Sequence, residues 1–269
     1  MNASGSRSIC GQRHLLFALV KRDILGRYRG SVFGVLWSAI EPLVLLVIYT
    51  VVFGLLLGLR MPDDPSLSAY ALEVFCGIVV WLAVSEGLNR STTVIRENVS
   101  LVKKVIFPGE ILPLKTVVSA LVHQCVGLLV LLAGMLVLGR GIYPTWFFLP
   151  LLLLPQLLLT AGISWLVAGA GVFIRDIRQA VALGTLCWMF LTPVFYPEEL
   201  FRTALGGRFA FWLTVNPAAA LIHNYRRILL RGTSPDWTML AYLFLLGGLL
   251  FVVGLWWFNK IKKLIPDVL

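Results

Sequence analysis

Glu41, Glu73, Glu86 and Arg90 lie within otherwise apolar stretches of this 269-residue sequence. Ionisable groups at membrane depth are costly, and they usually mark ion or substrate pathways. Glu73 and Glu86 fall toward opposite ends of one segment, so no continuous proton relay joins them. Glu41 has two readings, a hydrogen bond that packs helices or a part in a lateral gate or substrate contact. His14, His123 and His223 stand far apart with no carboxylate at ligand spacing, which argues for packing rather than a metal or acid/base site. Cys10, Cys76, Cys125 and Cys187 are equally scattered, the last three in apolar segments, and read as buried thiols. The dipeptide Gly-Lys never occurs, so there is no phosphate-cradling P-loop.

Aromatic side chains are the other candidates for chemistry. Trp37, Tyr49, Phe75, Trp81, Trp165, Phe173, Trp188, Phe195 and Tyr196 are spread over several apolar segments. Aromatic belts at the membrane surface account for many such residues. The alternative is that some face a pore and stack on the apolar C–H faces of sugar rings, as a slippery polymer channel would require.

These residues must be positioned by helices in lipid. Hydrophobic residues make up 59% of the chain and charged residues 13%, against roughly a quarter charged in a soluble domain. Apolar runs of about 20 residues or more recur, each long enough to cross ~30 Å of hydrocarbon. The expected fold is all-α and polytopic, with six transmembrane helices at residues 32–59, 67–95, 114–138, 145–174, 177–195 and 237–258. Residues 14–28 read as an interfacial amphipathic helix, with Leu16, Phe17, Leu19, Val20 and Ile24 on one side and Lys21, Arg22 and Arg27 kept wet. Residues 96–107 are too polar to cross. Within residues 196–230, two short apolar pieces split by Asn216-Pro217 read as re-entrant half-helices, which lipid tolerates only where protein or a water-filled cavity covers them.

The net charge of +10 is not gathered in one domain, as a nucleic-acid binder would have it, but sits at segment ends. With both termini in the cytosol, 14 of the 23 lysines and arginines face inward. Arg60, Arg140, Arg202, Arg208, Arg226, Arg227 and Arg231 face outward, and Arg90 and Lys115 lie near helix ends without a side. No internal repeat of the kind common in ion-coupled carriers is visible, nor is the catalytic cluster that a membrane-embedded lipid-linked sugar transferase would need.

The run from Val20 to Trp37, VKRDILGRYRGSVFGVLW, resembles the entry to the first span in the permease subunits of ABC exporters of bacterial surface polysaccharides (O-antigen, capsule, teichoic acid). Phe173-Ile174-Arg175-Asp176-Ile177, Thr192-Pro193-Val194-Phe195-Tyr196 and Asn216-Pro217 follow in that family's order. The resemblance implies an inner-membrane permease that pairs with a second copy of itself and with two separate ATPase subunits. ATP and Mg would be bound by those partners, and this chain would carry no cofactor and perform no catalysis. The substrate implied is a lipid-linked polysaccharide; permeases for drugs or simple lipids are the alternative within the superfamily.

By the same resemblance, residues 96–107 form a cytoplasmic coupling helix, with Arg96, Asn98, Leu101, Lys103, Lys104 and Phe107 as ATPase contacts and Arg175 and Asp176 as a second contact. A plain lipid-surface loop is the other reading of that stretch. Arg27, Tyr28 and Arg29 would receive the substrate headgroup, or else simply hold anionic lipid and fix topology. Trp37, Tyr49, Trp81, Trp165, Phe173, Trp188 and Tyr196 are the channel candidates. Pro193, Tyr196, Asn216 and Pro217 would belong to an external gate spanning residues 196–230, whose arginines would meet outer-leaflet phosphates or an acidic polymer.

Overall fold

The computed structural model describes residues 12–27, 30–62, 64–102, 107–198, 207–262 and 264–265. Among them every regular element is helical. In chain order these are α1 (Arg13–Arg27), α2 (Trp37–Tyr49, continued by a wide π-turn over Thr50–Leu56), α3 (Leu67–Ser91), and the short α4 (Val94–Glu97) and α5 (Val99–Val102). Then come α6 (Ile111–Val137), α7 (Leu149–Phe173), α8 (Ile177–Phe190), α9 (Gly207–Val215), α10 (Pro217–Leu229) and α11 (Trp237–Ile261). Among the described residues five helices are long and apolar enough to cross a membrane: Trp37–Leu56, Leu67–Ser91, Ile111–Val137, Pro144–Phe173 and Trp237–Ile261. The chain is an all-α multi-pass membrane protein.

Local sequence sets the helix starts. The Ser66 hydroxyl accepts from the Ala69 N–H to cap α3, and Asp236 accepts from Thr238 and Met239 to cap α11. α3 is the most buried of the long helices, with 78% of its apolar window inside the protein. It packs on α6 and α7, while α11 lies along α7. The α7–α11 contact is close because both sides are glycine: a Cβ on Gly254 would sit 2.2 Å from the Gly162 carbonyl oxygen. In lipid, where no hydrophobic force drives helices together, small residues that let backbones touch supply the packing.

The fifth apolar stretch, expected as a helix over residues 177–195, is regular only from Ile177 to Phe190, 14 residues or about 21 Å. Leu191 to Tyr196 continue in turns. The chain nevertheless runs antiparallel to α3 along most of its length. The Thr185 hydroxyl accepts from Asn89, Trp188 meets Trp81 edge-on, and the Phe195 carbonyl accepts from Tyr70. Pro193 ends the helix because it has no N–H to continue the ladder.

α1 departs from the expected one-sided amphipathic pattern. Leu19 and Val20 are buried against α6, whereas Phe17, expected on the same side, is 68% exposed. Apolar residues go round the whole helix, so one stripe docks on protein and the Phe17 and Leu25 side is left facing out. The far end of the chain comes to the same place: Lys262 reaches Glu110 at 3.3 Å, at the start of α6.

Candidate functional site

A cavity of about 630 Å³ opens between α1, α2, α3 and α6. Its walls include Arg27, Trp37, Glu41, Glu86, Arg90 and His123. Helical spacing places the charged groups: Asp23 and Arg27 are four apart on α1, Glu86 and Arg90 four apart on α3, and Lys115 and His123 eight apart on α6, so each pair shares a face. The three faces meet. Arg27 bonds to Glu86 at 2.5 Å and to His123 Nδ1 at 2.8 Å. Arg90 bridges Glu86 at 3.1 Å and Asp23 at 2.7 Å, and Asp23 also takes Lys115 at 3.0 Å. Burial disfavours the Asp23 carboxylate, but Arg90 and Lys115 outweigh it and hold its carboxyl below the ordinary 3.8. α1 is thus fastened to the bundle by an ionic network whose Asp23–Lys115 pair is buried, and Arg27 stands at the cavity wall with a carboxylate already on it.

Beside the cavity, Gln124 on α6 exchanges two hydrogen bonds with Gln156 on α7, which also accepts from the Tyr225 hydroxyl on α10. All three residues are buried. This satisfied polar core ties the cavity floor to the segment that follows α8.

At the other end of α3, Arg226 is a correction to the sequence reading. It is only 4% exposed, held inside the protein rather than presented at its surface. Its guanidinium lies 3.0 Å from the Glu73 carboxylate and donates to the carbonyls of Glu73, Pro193 and Val194. Arg231 adds a contact to Glu73 at 3.4 Å. Arg140 pairs with Asp64 at 2.7 Å, and Arg227 donates to the Ser234 carbonyl. The Ser66 hydroxyl and N–H, and then Arg140, hold the Asp64 carboxyl down at about 2. Arg202 lies outside the described residues.

Asn216-Pro217 breaks the chain between two short helices, α9 and α10, and starts the second. The Asn216 side-chain oxygen accepts from the N–H groups of Ala218 and Ala219, capping α10, and from the Trp188 indole at 2.9 Å. Its amide donates to the Leu191 carbonyl and the Thr192 hydroxyl. Pro217 occupies the first turn, where a missing N–H costs nothing. Pro193 is buried under Arg226, and the Tyr196 hydroxyl donates to the Phe190 carbonyl at 2.6 Å.

The seven aromatic candidates separate. Trp165 is fully buried, with its indole donating to the Glu110 carbonyl and its ring against Phe251, so it is a packing residue and lines no path. Trp81 is 3% exposed and packs on the half-buried Trp188. Tyr49 packs on Phe195 with tilted rings, 4.1 Å between centres. Trp37 and Phe173 are each 44% exposed, and only Trp37 lines the cavity.

In the stretch expected to couple to an ATPase, α4 and α5 replace one continuous helix. Arg96 is exposed yet donates to the Val172 carbonyl at 3.1 Å, and Asn98 donates back to the Val94 carbonyl. Leu101 and Phe107 are half-buried, while Arg175 and Asp176 form an exposed turn. Tyr28, Arg29, Lys103 and Lys104 lie outside the described residues. The Asp23–Lys115 pair and the place of His123 were not legible in the sequence: the i,i+4 and i,i+8 spacings put each residue on a helix face but do not say which faces meet.

Residues 14–230 match the family model described as ABC-2 type transporter. A Klebsiella pneumoniae protein named O-antigen export system permease protein RfbA is 28% identical over 95% of both chains. A Myxococcus xanthus protein of the same name is 30% identical over 86% of this chain and 85% of its own length. With four-fifths of its residues under that model, the chain belongs to the ABC-2 type transporter family, as a transporter membrane subunit.

Proposed function

We propose that this chain is the permease subunit of an ATP-driven exporter that carries a lipid-linked polysaccharide of the O-antigen type across the bacterial inner membrane. The observation that carries this reading is the similarity along 95% of both chains to a permease named for O-antigen export. The permease works as a homodimer with two separate ATPase subunits, and six crossings leave both ends in the cytosol. The meeting of α1 and Lys262 at the start of α6 supports that arrangement of the ends.

In this reading the cavity beside α1 is where substrate enters. Arg27, with Tyr28 and Arg29 after it, receives the phosphate of the lipid carrier, which takes the place of Glu86 on the Arg27 guanidinium. Residues 96–107 and the Arg175-Asp176 turn face the ATPase, and the Arg96 bond to Val172 makes the two contacts move together. Residues 196–230 form the external gate, held by Asn216 and Arg226. The test is genetic and biochemical. Loss of the gene removes surface polysaccharide, the wild-type gene restores it, and a combined Arg27→Gln and Arg29→Gln variant still copurifies with the ATPase but fails to restore export. Surface polysaccharide that persists without the gene overturns the proposal.

A further inference from the structure

The cavity is not a simple trap for anions. Its walls hold two guanidinium groups, Arg27 and Arg90, and two carboxylates, Glu41 and Glu86. Glu86 is committed to Arg27 and Arg90. Glu41 is exposed at the cavity and makes no ion pair or hydrogen bond among the described residues. Four residues before it, on the same face of α2, Trp37 presents a half-open ring whose indole N–H has no partner among them. Phe33 meets that ring edge-on at 5.7 Å and fixes its tilt. A flat apolar plate beside a free carboxylate is the chemistry that holds a sugar: the ring packs on the C–H face, and the carboxylate accepts from neighbouring hydroxyls. A site of this volume takes a small ligand.

We infer that Trp37 and Glu41 form a subsite for a neutral sugar, the one joined directly to the carrier's phosphate. The inference rests on the export reading above, which places the phosphate at Arg27, across the same cavity. Neutral is specified because Glu41 repels an acidic sugar. An organic cation, the other partner of a tryptophan and a carboxylate, is the rival occupant, and the test includes it.

The experiment measures binding of polyprenyl diphosphate lipids to the permease–ATPase complex in nanodiscs. The probes are the bare diphosphate, the diphosphate bearing one neutral hexose, and the diphosphate bearing one hexuronic acid. The hexose form should bind roughly tenfold more tightly than the bare form, the worth of one hydrogen bond to a charged group, and the uronic form should lose that gain. In Glu41→Gln and Trp37→Ala the ratio of hexose to bare lipid falls toward one, and Trp37→Phe, which keeps a ring, retains part of it. An unchanged ratio in both variants, equal binding of hexose and bare lipid, or tighter binding of a quaternary ammonium amphiphile overturns the subsite. Binding of no diphosphate lipid at all removes the export reading with it, so the two failures are told apart.

Discussion

Replacing Asp23 with Asn should loosen α1 from the bundle without unfolding the rest. The Asp23 and Lys115 side chains are each 9% exposed and stand 3.0 Å apart. Removing one member of a buried pair costs about 3–5 kcal/mol, because the survivor is left charged and unpaired. Arg90 keeps Glu86 and is 30% exposed, so Lys115 is the only charge stranded. That places the cost at the lower end, about 3 kcal/mol, on the order of a hundredfold in the equilibrium that docks α1. Hydrogen exchange in nanodiscs reads it directly: amides of α1 lose protection while those of α7 and α11 do not. Adding Lys115→Met removes the stranded charge and should recover most of the loss, since the unpaired buried ammonium is the source of the cost. The carboxyl titrates below its ordinary 3.8 in the folded state, so its contribution is present at neutral pH and disappears only as pH falls below that value. Unchanged α1 protection in Asp23→Asn, or no recovery with Lys115→Met, refutes the account of how α1 is held.

Three further outcomes follow from the packing. Asn216→Ala removes a helix cap worth about 1 kcal/mol and strands the Trp188 indole, so thermal stability in detergent falls and the α10 amides exchange faster. Arg226→Lys does not substitute, because one ammonium cannot serve Glu73 and the Pro193 and Val194 carbonyls in the planar fork they now share; a variant as thermostable as wild type contradicts the clamp. Gly254→Ala forces α11 away from α7, since its Cβ would meet the Gly162 carbonyl at 2.2 Å, and the melting temperature drops more than for Gly248→Ala, where the space is open.

Hydropathy made the long helices legible, because lipid imposes length and composition on each one separately. The ionic site was less so. Arg90 and Lys115 look like stray charges at helix ends until α1 brings Asp23 between them, a meeting of three segments that no local pattern states. The cavity was half visible, since Arg27, Trp37, Glu41 and Glu86 stand out by residue type, but the pairing of Glu86 with Arg27 does not. Trp165 and Arg226 misled for one reason: a polar or amphipathic side chain reads as functional in sequence, and only tertiary contacts show its hydrogen bonds already used inside the protein. The end of α8 at Phe190 was masked by hydrophobic residues that run on past it to Phe195, which pack whether helical or not.

α3 carries an ionic knot near each extremity, Glu73 with Arg226 and Arg231 at one, Glu86 and Arg90 with Asp23 and Arg27 at the other. The two lie 13 residues apart, about 20 Å along a rod with no proline in it. Such a rod transmits a push as a pushrod does. A slide or turn of that rod would strain both knots in the same stroke, so what unlatches α1 at one end also tugs on the turns under Arg226 at the other.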